Sequence, residues 1–484
     1  TARAFGAGRA EIGALLLIYD PQLATLVLRA EEVQVFGDSG QIISAARHIE
    51  AGLALDLLLI GRFAPVRVDA DGGSFAVVRR ADGSFAAGLG HAEYVAARSD
   101  DNLGGLDARL AIFNQAAQSS MLDRLVQIDL RGADIRYVDH HDGLTLLFED
   151  TRADVDLTED RIDADLSGTL LSSAGETPIA LGLETGRDFQ SLFIDLRVRE
   201  LVPSSISAQR GRTEMLGRFN APLNLDLVLD ASREQGLTSA LIDLEVGAGH
   251  WLAANGREPI ERGTLRLSYD TTAGRIDLDV LQIESSLVQL DLQGELTGLS
   301  GYEDALPSRA RYRLRSGPGS IDTGGVFPEP LVWTSADMRG DLDRRALRVG
   351  FEQLDLSVER AQASFTGAVS LQQVEERWLP NLTIEGPIEG RIGKEDVLRY
   401  WPVDFALGAR DWIRDSIIGG SLFDAHLDLD IPARAIAERQ LDDEALSLRF
   451  NFADADVRYV STMTPLTGLS GEAELLGNSL TLDG

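Results

Sequence analysis

Apolar and polar residues alternate with a period of two along most of this chain, the spacing that sends successive side chains to opposite faces of an extended strand. Val126, Ile128 and Leu130 alternate with Gln127, Asp129 and Arg131, and Leu223, Leu225, Leu227 and Leu229 with Asn224, Asp226 and Asp230. The same reading fits Leu265-Leu267-Tyr269, Ile276-Leu278-Val280, Val288-Leu290-Leu292, Leu354-Leu356-Val358 and Leu446-Leu448-Phe450. Strand after strand, one face is apolar and the other acidic. Leu225, Leu227, Leu267, Leu278, Leu290 and Leu356 are therefore expected on one continuous apolar surface, with Asp226, Asp277 and Asp291 facing solvent. Before residue 90 the alternation is weaker, in pairs such as Leu26-Leu28, Val33-Val35, Val66-Val68 and Ala76-Val78, and Asp82-Gly83 predicts a hairpin turn ahead of Phe85.

The period changes in two places. Between Tyr400 and Pro432, YWPVDFALGARDWIRDSIIGGSLFDAHLDLDIP, the apolar residues Phe405, Ala409, Trp412, Ile413 and Ile417 recur at helical spacing. Asp404 is placed to cap that helix, Gly419-Gly420 to end it, and Leu427, Leu429 and Ile431 resume the strand pattern. A second helical spacing, Leu106, Leu110, Phe113 and Ala117, predicts a helix over 106–123.

These elements predict a mainly β fold: an amino-terminal β cap over 1–105, a connecting helix over 106–123, and a long curled antiparallel sheet over 124–484 with a helical insertion at 393–420. Alternation alone also fits a sandwich, in which two apolar faces meet. Few helices are available to cover so large a sheet, and at roughly 15 residues per strand and turn the chain makes on the order of 25 to 30 strands, more than an open twisted sheet holds before it curls or splits. A sheet curled into an extended apolar groove satisfies both conditions. Such a groove would expose more than the few hundred Å² of contiguous apolar surface that soluble monomers present, and acyl chains are the expected occupant, with their charged headgroups left in water.

Composition narrows the function classes. Among 484 residues the formal net charge is −32, which argues against nucleic acid and against simple attraction to anionic headgroups. The chain has no cysteine, which excludes disulfides and thiolate metal sites. Lys394 is the single lysine among 45 basic residues, a bias that fits codon usage in a GC-rich genome. No run reaches the roughly 18 apolar residues of a membrane-spanning helix, and Leu480 and Leu482 begin a strand whose far edge is left open.

Candidate chemistry is sparse. Asp139-His140-His141-Asp142 offers imidazoles and carboxylates to a metal, but its place between Ile135-Tyr137 and Leu144-Leu146 reads as a hairpin turn with solvated side chains. No serine-centred glycine elbow, HExxH run or phosphate-binding glycine loop is present. No catalytic centre, metal or cofactor is expected. Trp401, Trp412, Ile413 and Ile417 form an apolar helix face that serves either as a lid over the groove or as a buttress behind the sheet, and the sequence leaves its direction open.

The segment Trp401–Pro432, with FADADVRYVSTMTPLTGLSGEAELLGNSLTLDG after it from Phe452 to Gly484, resembles the central region of YhdP-type proteins of the AsmA-like superfamily, which also holds TamB. Arg79–Gly90 and Val126–Leu146 are similar to the opening hairpins of that family. The resemblance implies a periplasmic β-groove of the Gram-negative envelope, anchored to the inner membrane by a segment upstream of Thr1, that moves phospholipid toward outer-membrane components. The alternative is an assembly factor that works through its sheet edges.

Overall fold

The computed structural model describes residues 9–20, 25–36, 42–58, 64–82, 85–90, 124–206, 214–253, 256–300, 307–374, 377–404, 406–438, 445–458, 464–477 and 479–483. The protein is mainly β, with 73% of the described residues in strands and 9% in helices. It divides into two compact units, Thr1–Pro259 and Ile260–Gly484.

In the first unit, Arg9–Asp20, Thr25–Phe36, Ile42–Leu53 and Pro65–Gly72 form an antiparallel meander. The short helix α1 (Leu55–Leu58) lies in the last of these connections. Pro65–Gly72 and Ser74–Arg79 then run end to end along one side of Gln127–Asp139, both parallel to it. Gly72 (φ 89°) and Gly73 (φ 112°) form the kink between them, in conformations that glycine adopts without the strain a Cβ brings. The sheet is therefore mixed where the amino-terminal strands join it, while the described ladders among the strands after residue 124 are antiparallel, as expected; side-chain periodicity carries no information on the direction of the added strands. Parallel neighbours need a crossover of about a dozen or more residues, and the helix expected over 106–123 falls in that connection, outside the described residues. From Gln127–Asp139 the order is sequential and antiparallel through Leu144–Leu157, Arg161–Ser172, Gly175–Gly186, Ser191–Leu201, Leu223–Ser232 and Gly236–Val246.

The second unit begins within the strand Gly256–Asp270 and continues antiparallel through Arg275–Ser285, Val288–Ser300, Arg309–Ser316, Ser335–Asp343 and Arg348–Ser357. Ala361–Val374, Arg377–Gly390, Ile417–Ile431, Leu446–Val457, Leu466–Leu476 and Ser479–Asp483 complete it. Helices α2 (Lys394–Arg399) and α3 (Leu407–Ser416) fill the connection before Ile417–Ile431, and α4 (Ala433–Glu438) follows that strand.

Three local expectations are corrected. Val280 does not share a face with Ile276 and Leu278, because a bulge in that strand pairs Leu278 with Leu267 and Val280 with Arg266. Asp404 is exposed and does not cap α3, whose N-cap is Ala406 with no side-chain hydrogen bond. Ile417 opens the following strand rather than closing the helix. The glycines after it serve the sheet: Gly420 sits at a register shift, where a Cβ would come within 2.7 Å of the Ala455 backbone.

Candidate functional site

The apolar residues line up across strands as well as along them. In the first unit Leu130, Ala153, Leu166, Leu181, Leu196, Leu227 and Ile242 stand directly opposite one another over seven strands. Every one of them is half-buried. Leu225 lies on the same face, between Val198 and Leu244.

In the second unit one row crosses ten strands: Tyr269, Ile276, Leu296, Tyr312, Gly340, Phe351, Gly367, Ile384, Leu429 and Leu446. Leu267 and Leu278, which pair with each other, flank that row, and Leu290 and Leu356 lie on the same face opposite Ile283 and Ala336. Asp226, Asp277 and Asp291 are on the reverse faces, opposite Arg197, Ser268 and Gln282 respectively. The strand Arg309–Ser316 shows the contrast most cleanly, with Arg309, Arg311, Arg313 and Arg315 exposed and Ala310, Tyr312 and Ser316 buried. Among the described residues the strands of each unit belong to one hydrogen-bonded sheet, and no second sheet faces the apolar side.

The reverse face of the first unit carries a row of carboxylates, Asp69, Asp129, Asp154 and Asp165, each opposite the next, with Asp195 beyond Gly182. Like charges directly opposite destabilise a sheet. Burial pushes the Asp129 carboxyl above its usual range, aided by its hydrogen bond with Asp69 and by repulsion from Asp154, against the pull of Arg67. A folded-state pKa above the unfolded one means that protonation favours the folded form, so this penalty is present at neutral pH and is relieved as pH falls toward the ordinary carboxylate range near ~3.9. Asp154→Asn is accordingly expected to raise the unfolding free energy measured by denaturant titration, by about 0.5 kcal/mol, and unchanged or lowered stability would contradict the repulsion.

The Asp139–Asp142 run is a self-satisfied turn. Asp139, 4% exposed, accepts from the backbone N–H groups of His141 (2.8 Å) and Asp142 (3.0 Å) and from Tyr137 Oη (3.1 Å), while Arg79 bridges it at 3.0 Å to Asp142 at 3.1 Å. Burial opposes its charge, but the hydrogen bonds from Asp142, Arg79, Tyr137 and His141 outweigh burial and hold its pKa below the usual range. His141 Nδ1 lies 3.2 Å from the Ala81 carbonyl oxygen. The described residues contain no cluster suited to a metal ion. Because the Asp139 pKa is depressed on folding, its stabilisation is present above the unfolded value and is lost as pH falls below ~3.9. Asp139→Ala is expected to cost about 3 kcal/mol, since it takes this acceptor from the N–H groups of His141 and Asp142 and from Tyr137 Oη and leaves Arg79 with Asp142 as its remaining partner; a shift under ~1 kcal/mol in chemical denaturation would contradict this account, and His140→Ala is expected to leave the midpoint nearly unchanged.

The direction of the inserted helix is settled by its contacts. Trp401 (7% exposed), Ala406 and Ala409 form a core with Leu446 and Leu475, against which Val397, Ile413, Leu427, Leu429, Leu448 and Leu480 pack. Leu429 and Leu446 are the last two members of the ten-strand row, so Trp401 and α3 lie on the apolar face and cover its end. The polar side of α3 is solvated, with Arg414 paired to Asp411 (2.6 Å) and Asp415 (2.9 Å). Its connection is tied down by Arg399 to Glu329 (2.8 Å) and by the Val403 N–H to the Val326 carbonyl (2.8 Å).

Beside this core the cover leaves an open cleft of about 380 Å³ between Trp412, Ile413 and Ile417 on one side and Phe450, Phe452 and Leu480 on the other. Among the described residues Lys394 is the one charged residue that lines it. Of the helix-face residues expected from sequence, Ile413 serves both core and cleft, Trp412 and Ile417 line the cleft, and Trp401 is core. Phe405 lies outside the described residues. The sequence reading missed Lys394, Phe450 and Phe452 as cleft residues, and the only signal available was the singularity of the lysine. No helix among the described residues is long and apolar enough to cross a membrane. No protein-family model, curated protein or solved structure matches the chain.

Proposed function

We propose that the apolar face of this sheet carries acyl chains of phospholipids, without enzymatic chemistry, between the inner and outer membranes of a Gram-negative envelope. The observation that carries this reading is the ten-strand row of the second unit, apolar or glycine at every position and without a second sheet over it. A face of this kind in water is expected to be occupied, and the unshielded side leaves headgroups hydrated. The resemblance of Trp401–Pro432 and Met463–Gly484 to YhdP-type proteins supports the same reading, together with a periplasmic location, an inner-membrane anchor and outer-membrane components as partners.

Purified protein, extracted and analysed by lipid mass spectrometry, is expected to yield stoichiometric phospholipid. Lipid-free protein from a mild purification would count against the proposal. The assembly-factor reading draws on a separate observation: the strand Arg9–Asp20 pairs on one side only among the described residues and exposes Leu15 (59%) and Leu17 (64%), a free apolar edge that a partner strand can extend.

A further inference from the structure

Lys394 is the only lysine of a chain with 45 basic residues, and among the described residues no other charged side chain lines the apolar cleft where it stands. Its ammonium donates to the Ile417 carbonyl at 2.5 Å, immediately after the last turn of α3. That bond has a structural use, because a cation satisfies and complements the carbonyl end of a helix. It occupies one of three donors. Among the described residues no carboxylate is ion-paired with Lys394. Asp415 feels its charge, yet Asp415 is held first by Arg414, at 2.9 Å.

An ammonium with donors to spare, set among Trp412, Ile413, Phe450 and Phe452, is matched by an anion that brings its own apolar tail. The cleft volume of about 380 Å³ falls within the range of roughly 300–1,000 Å³ typical of small-molecule sites. We infer that the cleft is a headgroup station: it holds an anion-headed acyl amphiphile, the head on Lys394 Nζ and the chain along the apolar wall. This rests on the acyl-chain reading above and adds to it a requirement for negative charge in the head.

The single ε-amine makes the test direct. Selective ¹³C,¹⁵N-lysine labelling of the full chain gives one lysine side-chain spin system with its ammonium unmodified, whose Cε resonance can be followed while dodecyl phosphate, dodecyl maltoside or inorganic phosphate is added below micellar concentrations. Dodecyl phosphate is expected to shift the Lys394 resonance and to bind about tenfold more tightly than dodecyl maltoside, and inorganic phosphate at the same concentration to leave it in place. Lys394→Gln, which keeps an N–H donor for the Ile417 carbonyl, is expected to bring the two amphiphiles to equal affinity without lowering the melting temperature, and Lys394→Arg to preserve the preference. Equal affinity in the wild type, or a preference that survives Lys394→Gln, would overturn the inference. So would binding of inorganic phosphate as tight as that of dodecyl phosphate, which would mark a bare anion site. If dodecyl maltoside binds with no preference for the charged head, the acyl-chain reading stands and only the anion requirement fails; if neither amphiphile binds, the acyl-chain reading fails at this site.

Discussion

Replacing Trp401 by alanine is expected to destabilise the second unit by about 3–5 kcal/mol, the usual cost of removing a large buried aromatic side chain. Trp401 is the largest side chain of the core beneath the cover, which it forms with Leu446 and Leu475 of the sheet. The loss should be local. Amide exchange is expected to accelerate over α2 and α3 while the strands from Arg309 to Asp343 keep their protection, because those strands are held by ladder hydrogen bonds that Trp401 does not touch. A dye that reports exposed apolar surface should bind the variant more strongly, since the uncovered end of the ten-strand row becomes accessible. A loss below ~1 kcal/mol with unchanged exchange in α3 would mean that the helix does not close the face.

The second large effect separates the two faces of one strand. Leu278→Arg puts a charge on the apolar face beside Leu267 and opposite Gly294, whereas Asp277→Arg changes the reverse face beside Ser268 and Glu295. The Leu278 position is half-buried, so a long side chain can carry its charge to water without unfolding the sheet. An acyl chain lying on that surface has no such escape, and an ion in its path carries a desolvation penalty of a few kcal/mol. Bound phospholipid and lipid transfer are therefore expected to fall about tenfold or more in Leu278→Arg. In Asp277→Arg they should remain near the wild-type level, as surface changes usually stay within about 0.5 kcal/mol. With melting temperatures matched, equal lipid content in the two variants would remove the groove reading and favour the edge-mediated one.

The sequence made the faces legible and the connections illegible. A period of two assigns Leu225, Leu227, Leu267, Leu278, Leu290 and Leu356 to the apolar side, because for Leu278 the bulge comes only after it in the strand, and cross-strand register then brings their neighbours into rows. It misplaces Val280, since one extra residue in a bulge reverses the alternation and leaves no compositional mark. The parallel run of 65–79 beside Gln127–Asp139 depends on a long-range pairing that local periodicity does not encode. For the inserted helix, apolar spacing located the amphipathic face, but two β-branched residues at Ile417 and Ile418 favour the extended chain and end the helix three residues earlier than the glycines suggest. Its direction onto the apolar face rests on Trp401, Leu446 and Leu475 meeting in space, residues that are up to 74 positions apart. Lys394 shows the limit most clearly: in composition it is a curiosity of codon usage, and only its place in the cleft gives it chemistry.

The central claim, that acyl chains occupy the apolar face, is tested most directly by photo-crosslinking in living Gram-negative cells. A photoreactive residue is placed in turn at Leu278, Leu314 and Leu354 on that face, and at Asp277, Arg313 and Asp355 on the reverse face of the same strands. The account predicts lipid adducts at the first three positions and none at the second three. Lipid adducts equally frequent on both faces, or absent from both, would contradict it.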